Sequence, residues 1–389
     1  MPSLDPATPE AAQARLQAVR PHDYARTRNH LEGAVTRLSP YITHGVLTLP
    51  QVLDSVQAAE RARDPKGRAL APDHKFINEL AWREYFHHVW SHEGKGIFTS
   101  LHEGPMPESA YARVLPEDIR CGCTGVPAID EAVRELYATG YLHNHARMWL
   151  ASYVVHLRKV HWRAGADWMY GHLIDGDLAS NHLSWQWVAG TGSHKPYLFN
   201  AGNVEKFAPP AWHSRGTVID ASYEALEAVA RSGKRLERPG AARDAAAHDA
   251  AGGEPPAVFN RPPFELPTAI AGDLAGAWLI HPWNLRRPTA EETDHGARAV
   301  VGVFVAAFHS RWAWSARRWQ WVRDQMLSLT DRIVWCEGLP PATAHTVADP
   351  HLRSWADGAH AAPVPRIWPD PGRPCRSFSQ FWNRVQKPI

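Results

Sequence analysis

Apolar residues in the first half of the chain recur every three or four positions. This spacing holds from about residue 40 to 195, and alternating β-branched runs are few, which is typical of helices that bury one face. The clearest predicted helix is HKFINELAWREYFHHVW, residues 74–90; its residues on one face are Glu79, Trp82, Arg83, Phe86 and Trp90. A second, YLHNHARMWLASYVVHL, residues 141–157, aligns Asn144, Met148 and Ser152. The pattern predicts an all-helical first half.

The pattern changes in the last third of the chain. Short apolar runs, GAWLIH, AVVGVFVAAF, RIVWCEG and PRIW, alternate with helical segments such as SARRWQWVRDQMLSLTD, which predicts a small α/β domain. Residues 233–262 are rich in Ala, Gly and Pro without a steady period, which is typical of a linker. We therefore predict a mainly α protein with a helical domain at 20–232, a linker at 233–262, and an α/β domain of uncertain role at 263–389.

Length and composition fit an ordinary soluble protein of two domains. The chain has 389 residues, of which 44% are hydrophobic and 21% charged, near the average for globular proteins. No run approaches the roughly 20 apolar residues that a membrane span needs, and the N-terminal segment lacks the apolar core of a signal peptide. We expect a cytoplasmic protein without a membrane partner.

Charge and cysteine content narrow the candidate partners. A net charge of +2 gives little overall attraction to nucleic acid, so any DNA contact must come from a local basic face. The four cysteines, Cys121, Cys123, Cys336 and Cys375, lack the spacing that closes a tetrahedral metal site. We expect neither a disulfide framework nor a metal.

Tryptophan is unusually frequent, with 18 residues, and indole rings both stack and carry a one-electron hole. Many of these Trp residues lie after residue 210, so composition alone does not assign them to one site. In RWAWSARRWQWVRDQ they interleave with Arg311, Arg317, Arg318 and Arg323. The segment could stack on nucleic acid, but a helical core face with the arginines in solvent is the favoured interpretation.

Ser39 followed by Pro40 in VTRLSPYITHG predicts a helix start, because a hydroxyl caps the helix and proline needs no N–H at its first position. Free amides at such a start can bind a phosphate, with the hydroxyls of Thr36 and Ser39 as further donors. Taken alone, the motif is more often a well-capped helix than a ligand site.

A series of motifs along nearly half of the chain resembles the flavin domain of DNA photolyases and cryptochromes. The motifs are, in order, Tyr24 with TRLSPYITHG, NELAWREYF, TGVPAIDEAVRELYATGYLHNHARM, LIDGDLASNHLSWQWVAGTG and FNAGNVEKF. The resemblance implies an all-helical domain that binds FAD folded on itself. The residues that it implies for FAD binding are Tyr24, Thr36, Ser39, Arg83, Arg147, Asp175, Asp177 and Asn181.

Within that set, the resemblance implies that Arg147 pairs with Asp175 and that Asn181 faces the flavin N5. A positive group at this point would favour an anionic reduced flavin, and a buried aspartate needs such a partner. From the residues alone, Arg147 and Asp175 are equally interpretable as a structural ion pair.

The resemblance is strongest to photolyases that repair cyclobutane pyrimidine dimers. It implies a pocket for a flipped-out dimer, in which a buried Glu79 lies between Trp82 and Trp187. Asn144 and Met148 complete this pocket. Repair then proceeds by electron transfer from light-excited reduced FAD into the dimer and back. The alternative is that these five residues are core residues of packed helices.

A tryptophan relay that re-reduces flavin is also implied, with Trp185 and Trp162 as its first two members. Ile119 stands where the third is expected, so Trp168 or Tyr170 must complete the route or photoreduction is weak.

Three departures separate this chain from ordinary repair enzymes. In that family an α/β antenna domain usually precedes the flavin domain, and we expect this protein to lack it. AWLIHPWNLRR and AVVGVFVAAF faintly resemble its opening strands, as in a permuted or degenerate relative, and no antenna chromophore is inferred. His145 replaces a DNA-contacting arginine, and the segment GTGSHKPYLFNAGN is about three residues shorter than its family counterpart. Dimer-containing DNA, in single-stranded or opened form, remains the expected partner. The alternatives are a light sensor or a non-catalytic flavin-binding regulator with a protein partner, and a degenerate flavin domain without light chemistry.

Overall fold

The computed structural model describes residues 7–193, 195–237, 254–293 and 298–386. The chain divides into two compact units. The helical unit contains His22–Val35 and Val89–Pro256, and the mixed unit contains Asp5–Pro21, Thr36–His88 and Ala257–Ile389. The predicted domains are continuous ranges of the chain, whereas these units combine separate segments, so the predicted boundaries stay a prediction. Residues 238–253 of the predicted linker lie outside the described residues.

The described residues are mainly α-helical, as predicted, and no helix among them is long and apolar enough to cross a membrane. In chain order the helices are α1 Pro9–Gln17, α2 Pro21–Thr27, α3 Ser39–Thr43, α4 Leu49–Arg63, α5 Lys75–Glu93, α6 Glu117–Arg120, α7 Pro127–Thr139, α8 Asn144–Ser152, α9 Trp162–His172, α10 Leu178–Ala189, α11 Ala201–Phe207, α12 Tyr223–Ala230, α13 Ala306–His309, α14 Ala316–Leu327, α15 Arg353–Ala356 and α16 Phe378–Val385.

Helix α10 in the helical unit is fixed at both ends and along one side. Asp177 caps its start by accepting a hydrogen bond from the Ser180 amide at 2.7 Å, and Gly190 ends it with a φ of 80°, a conformation that favours glycine. Gly165 of α9 lets the Trp185 ring approach closely, because a Cβ there would lie 2.3 Å from that ring. The helix therefore holds its DGD turn and its indoles in set positions.

Helix α8 continues into a π-helical turn, Tyr153–Leu157, whose residues are all buried. The helix predicted at 141–157 is thus confirmed, although it begins at Asn144 and changes its winding after Ser152. In the widened turn, His156 Nε2 lies 2.8 Å from the Val188 carbonyl oxygen, so the ring satisfies a carbonyl of α10.

The mixed unit contains a six-stranded sheet, which confirms the predicted α/β segment. Among the described residues the strands are β1 Val258–Phe259, β2 Thr268–Ala269, β3 Trp278–Ile280, β4 Val300–Val305, β5 Trp314–Ser315, β6 Ile333–Cys336, β7 His345–Ala348 and β8 His360–Pro363. The sheet order is β2-β6-β4-β3-β7-β8 and every pairing in it is parallel. Strands β1 and β5 pair separately and antiparallel.

Two predictions for this region are wrong. PRIW, residues 365–368, forms no strand; the amides of Ile367 and Trp368 instead donate to Glu84 at 2.6 and 3.3 Å. Arg318, expected in solvent, is fully buried in α14. Its guanidinium carbon lies 4.0 Å from the centre of the Trp314 ring, and this cation–π contact explains how the core accepts the charge.

Candidate functional site

Helix α5 presents the predicted site residues on its accessible side. Its buried residues are Phe76, Ile77, Leu80, Ala81, Glu84, Tyr85 and His88, whereas Trp82 and Arg83 are half-buried and Glu79 is exposed. The predicted common face is therefore the side of α5 that points away from the core. The expected burial of Glu79 is wrong, because the position lies on the solvent side of the helix.

The buried side of α5 binds the C-terminal segment of the mixed unit, which sequence reasoning missed. Burial raises the pKa of Glu84, and the Ile367 amide, Arg366 and the Trp368 amide oppose that rise. His88 accepts a hydrogen bond from the Cys375 amide at 3.1 Å and lies 3.3 Å from an Asp370 carboxylate oxygen. Partners nearly 300 positions apart leave no local signal in the sequence.

The same segment covers one face of Trp82. The Phe378 ring, at the start of α16, stacks on the indole with the ring centres 4.2 Å apart and the planes 6° from parallel. A side chain of the protein itself therefore occupies part of the aromatic surface that was predicted to wall the dimer pocket.

Arg147 and Asp175 form an ion pair in the helical unit, as predicted, through one guanidinium nitrogen and both carboxylate oxygens. The Arg147 Nη2 atom lies 2.9 and 2.7 Å from the two Asp175 carboxylate oxygens. The Asp175 side chain is 2% exposed and that of Arg147 is 24% exposed, and Arg147 Nε donates to the Leu142 carbonyl at 2.7 Å. The guanidinium is therefore held in place beside a buried carboxylate.

Two other predicted contacts flank this pair. Asp177 caps α10 two residues after Asp175. Asn181, one turn into that helix, donates its amide to the Ala166 carbonyl at 2.9 Å. Tyr24 is half-buried on α2 of the same unit.

Thr36, Ser39 and Arg83 belong to the mixed unit. Helix α3 begins at Ser39, but Leu38 occupies the cap position and no side chain makes a capping hydrogen bond. The predicted Ser39 cap is therefore wrong, because the helix starts one residue earlier than the motif implied. The Thr36 hydroxyl accepts from the Leu38 amide at 3.3 Å, and Arg83 donates to the Thr43 hydroxyl at 3.3 Å.

The remaining predicted pocket residues lie in the helical unit. Asn144 donates to the Met148 sulfur at 3.5 Å across one turn of α8, which confirms that they share a face. Trp187 is 40% exposed and its ring centre lies 5.6 Å from that of Tyr197.

Residues 76–229 match the family model of the FAD binding domain of DNA photolyase. This segment is a photolyase-type FAD-binding domain. Over 175 residues the chain is 34% identical to a deoxyribodipyrimidine photo-lyase of Streptomyces griseus, covering 44% of this chain and 36% of that protein. A Thermus thermophilus deoxyribodipyrimidine photo-lyase is 32% identical over 61% of this chain and 60% of its own length. Cryptochrome DASH of Idiomarina loihiensis is 33% identical over 47% and 40%.

The chain thus spans less than two thirds of the length of these relatives. The donor set of the domain fits FAD, which carries phosphates, hydroxyls and a ring system with polar edges. A fixed guanidinium beside a buried carboxylate is a group of the kind that can tune the charge of a flavin ring, and its role here stays a prediction.

The two predicted relay tryptophans of this photolyase-type domain are both 2% exposed and belong to one core cluster with Ile119. Trp162 donates to the Ser100 hydroxyl at 3.0 Å. Of the candidates for the third position, Trp168 is half-buried and donates to the Tyr137 hydroxyl at 3.1 Å, whereas Tyr170 is 1% exposed. Trp168 is therefore the better candidate for a surface exit, and the relay stays a prediction.

His145 carries no charge at neutral pH. Its pKa is lowered to about 4 by burial, and then by the nearby Arg28 and His30. The position therefore carries no positive charge at neutral pH, where the family has an arginine. Any effect of pH on DNA binding through His145 is expected only in acid, near its pKa of about 4.

Proposed function

We propose that this protein is a flavoprotein that uses light to repair cyclobutane pyrimidine dimers in single-stranded or otherwise opened DNA. When bound, reduced FAD supplies the electron for this reaction. The residues of the chain then have three tasks: they hold the flavin, accept a flipped-out dimer, and keep the two adjacent.

The observation that carries the proposal is the accessibility of the five pocket residues. If they were ordinary core residues of packed helices, they would be buried. Glu79 and Asn144 are instead exposed, Trp82 and Met148 are half-buried, and Trp187 is 40% exposed. Large apolar side chains kept accessible on otherwise buried helices are typical of a binding surface.

Each pocket residue has a chemical task in this proposal. The Glu79 carboxylate accepts hydrogen bonds from the N–H edge of a thymine, since an ionised carboxylate is an acceptor only. Trp82 and Trp187 supply apolar surface that replaces the stacking lost when the dimer leaves the duplex. Asn144, held by Met148, offers both a donor and an acceptor to the base edges.

A light sensor that does not repair DNA is the second candidate. The stacking of Phe378 on Trp82 favours it, because this contact competes with a dimer for the same indole. The neutral His145 also favours a sensor, since it offers no fixed charge to a DNA phosphate. A protein partner would then read the state of the flavin.

The deciding experiment is a repair assay on the purified, flavin-loaded full chain. Flavin is confirmed by absorbance and reduced, and thymine-dimer loss is followed under blue light in single- and double-stranded oligonucleotides. We expect light-dependent repair that is faster on the single strand. Bound, photoreducible flavin without any repair would contradict the proposal and support the sensor.

A further inference from the structure

A groove of about 470 Å³ lies in the helical unit where Trp187 meets Ser193, residues 195–198 and the first turns of α12. Three of the side chains that line it are aromatic: Trp187, Tyr197 and Tyr223. Of these three rings, Trp187 alone belongs to the predicted dimer pocket. The contribution of α12 has no counterpart in the predicted site.

Two of the three aromatic rings of the groove are open to solvent. Trp187 is 40% exposed and Tyr223 is 44% exposed, although large rings are normally covered. The Trp187 and Tyr197 rings lie 5.6 Å apart and 34° from parallel, which leaves a stepped aromatic wall. Burial, followed by the proximity of Tyr223, raises the pKa of Tyr197 to about 12, so this ring stays neutral.

The charges at the groove favour an anionic ligand. Lys195 is exposed and lines the groove. Glu227, the acidic lining residue, is paired with Arg231, whose Nη2 lies 3.0 Å from its carboxylate. Lys195, Arg231 and Glu227 together carry one net positive charge, which complements a phosphate.

We propose that this groove binds an unpaired base of single-stranded DNA next to the dimer, with the base on the ring of Tyr223 and the phosphate near Lys195. Aromatic rings beside a cation are the usual means of binding single strands without sequence preference. The inference rests on the proposed function, and it explains how a chain with a shortened loop could still hold opened DNA.

The test is the affinity of the full-length flavoprotein for an undamaged, dye-labelled oligothymidylate of about ten nucleotides, measured by fluorescence anisotropy beside a matched duplex. We expect Tyr223→Ala to weaken binding of the single strand roughly tenfold, the loss of one stacked base, while Tyr223→Phe keeps the wild-type affinity. We expect Lys195→Ala to weaken binding of the single strand and to reduce the slope of the logarithm of the binding constant against the logarithm of salt concentration by about 0.7. Lys66→Ala removes the same charge from an exposed lysine outside the groove lining and should have little effect.

Flavin content and circular dichroism of each variant establish that it is folded. Affinity of Tyr223→Ala within twofold of wild type, or an equal loss for single strand and duplex, would overturn the groove assignment. If Tyr223→Ala binds the single strand as the wild type does and dimer repair is intact, the groove assignment is wrong and the proposed function stands. If Tyr223→Ala weakens binding of undamaged DNA but the wild-type protein repairs no dimers, the groove assignment stands and the proposed repair activity is wrong.

Discussion

The interiors of the helical unit and of the α/β region, residues 257–386, are stabilised in different ways. In the helical unit, Arg158 and Asp118 are each 5% exposed and bond at 2.6 and 3.0 Å. In the α/β region, most of the buried side-chain polar atoms that lack a hydrogen-bond partner among the described residues are ring nitrogens. The indole N–H groups without a hydrogen-bond partner among the described residues include those of Trp278, Trp283, Trp314 and Trp335.

This difference shows what each region depends on. Directional bonds between buried charges make the helical interior sensitive to the identity of single atoms, because an unpaired buried charge is very costly. Stacked and edge-on rings make the α/β interior sensitive to volume and shape. Much of the tryptophan enrichment therefore belongs to the packing of the α/β core, and only a few indoles are candidates for electron transfer.

The largest expected effect comes from breaking the ion pair of the helical interior. Asp118→Asn leaves the Arg158 guanidinium buried without its main partner, so we expect the free energy of unfolding to fall by about 3–5 kcal/mol. Urea unfolding followed by circular dichroism measures this. Arg215→Ala is the control, because it removes an exposed pair to Glu205 and should lower the free energy of unfolding far less. Equal losses in the two variants would contradict the account.

The second largest expected effect is a loss of stability in acid that depends on His156. Burial lowers the pKa of His156 from 6.5 to about 4, so the folded protein keeps this ring neutral while the unfolded chain protonates it. Stability from His156 is therefore present above pH 6.5 and is lost as the pH falls to about 4, by at most roughly 3 kcal/mol. His156→Gln, which retains an N–H donor but does not titrate, should flatten the stability curve in that window. An unchanged slope would show that the histidine is solvated.

The smallest effect compares one substitution in the two interiors. Trp149 and Trp314 are both fully buried, but Trp149 Nε1 donates to the Asn203 side chain at 3.0 Å, whereas that of Trp314 has no partner among the described residues. Trp149→Phe leaves an unsatisfied acceptor and should cost about 1–3 kcal/mol more than Trp314→Phe. Matching losses would mean that water or local rearrangement removes the difference.

The elements of the site follow from local sequence, whereas their long-range partners do not. The helical period in residues 74–90 predicts α5 and the residues that share one face, although not that this face is accessible, and the resemblance implied the Arg147–Asp175 pair. Neither indicates that Glu84 and His88 bind residues 367–375, since such contacts depend on how distant segments pack. The stacking of Phe378 on Trp82 is missed for the same reason.

The strands show a second limit. β3, β4 and β6 are continuous apolar runs and were predicted, but β7 and β8, HTVA and HAAP, are too short and lack the large apolar residues that would distinguish them from loops. The start of α3 differs by one residue from its motif, which is enough to move Ser39 from the cap position into the helix.

The central claim is that the buried Asp175 serves the flavin and the accessible Glu79 serves the dimer. The most direct test measures bound FAD and light-driven dimer repair together in Asp175→Ala and Glu79→Ala. We predict that Asp175→Ala releases flavin, because it leaves the Arg147 guanidinium without its buried carboxylate partner, and that Glu79→Ala keeps full flavin while repair falls. Loss of flavin from both variants, or full repair by Glu79→Ala, would contradict this division of roles.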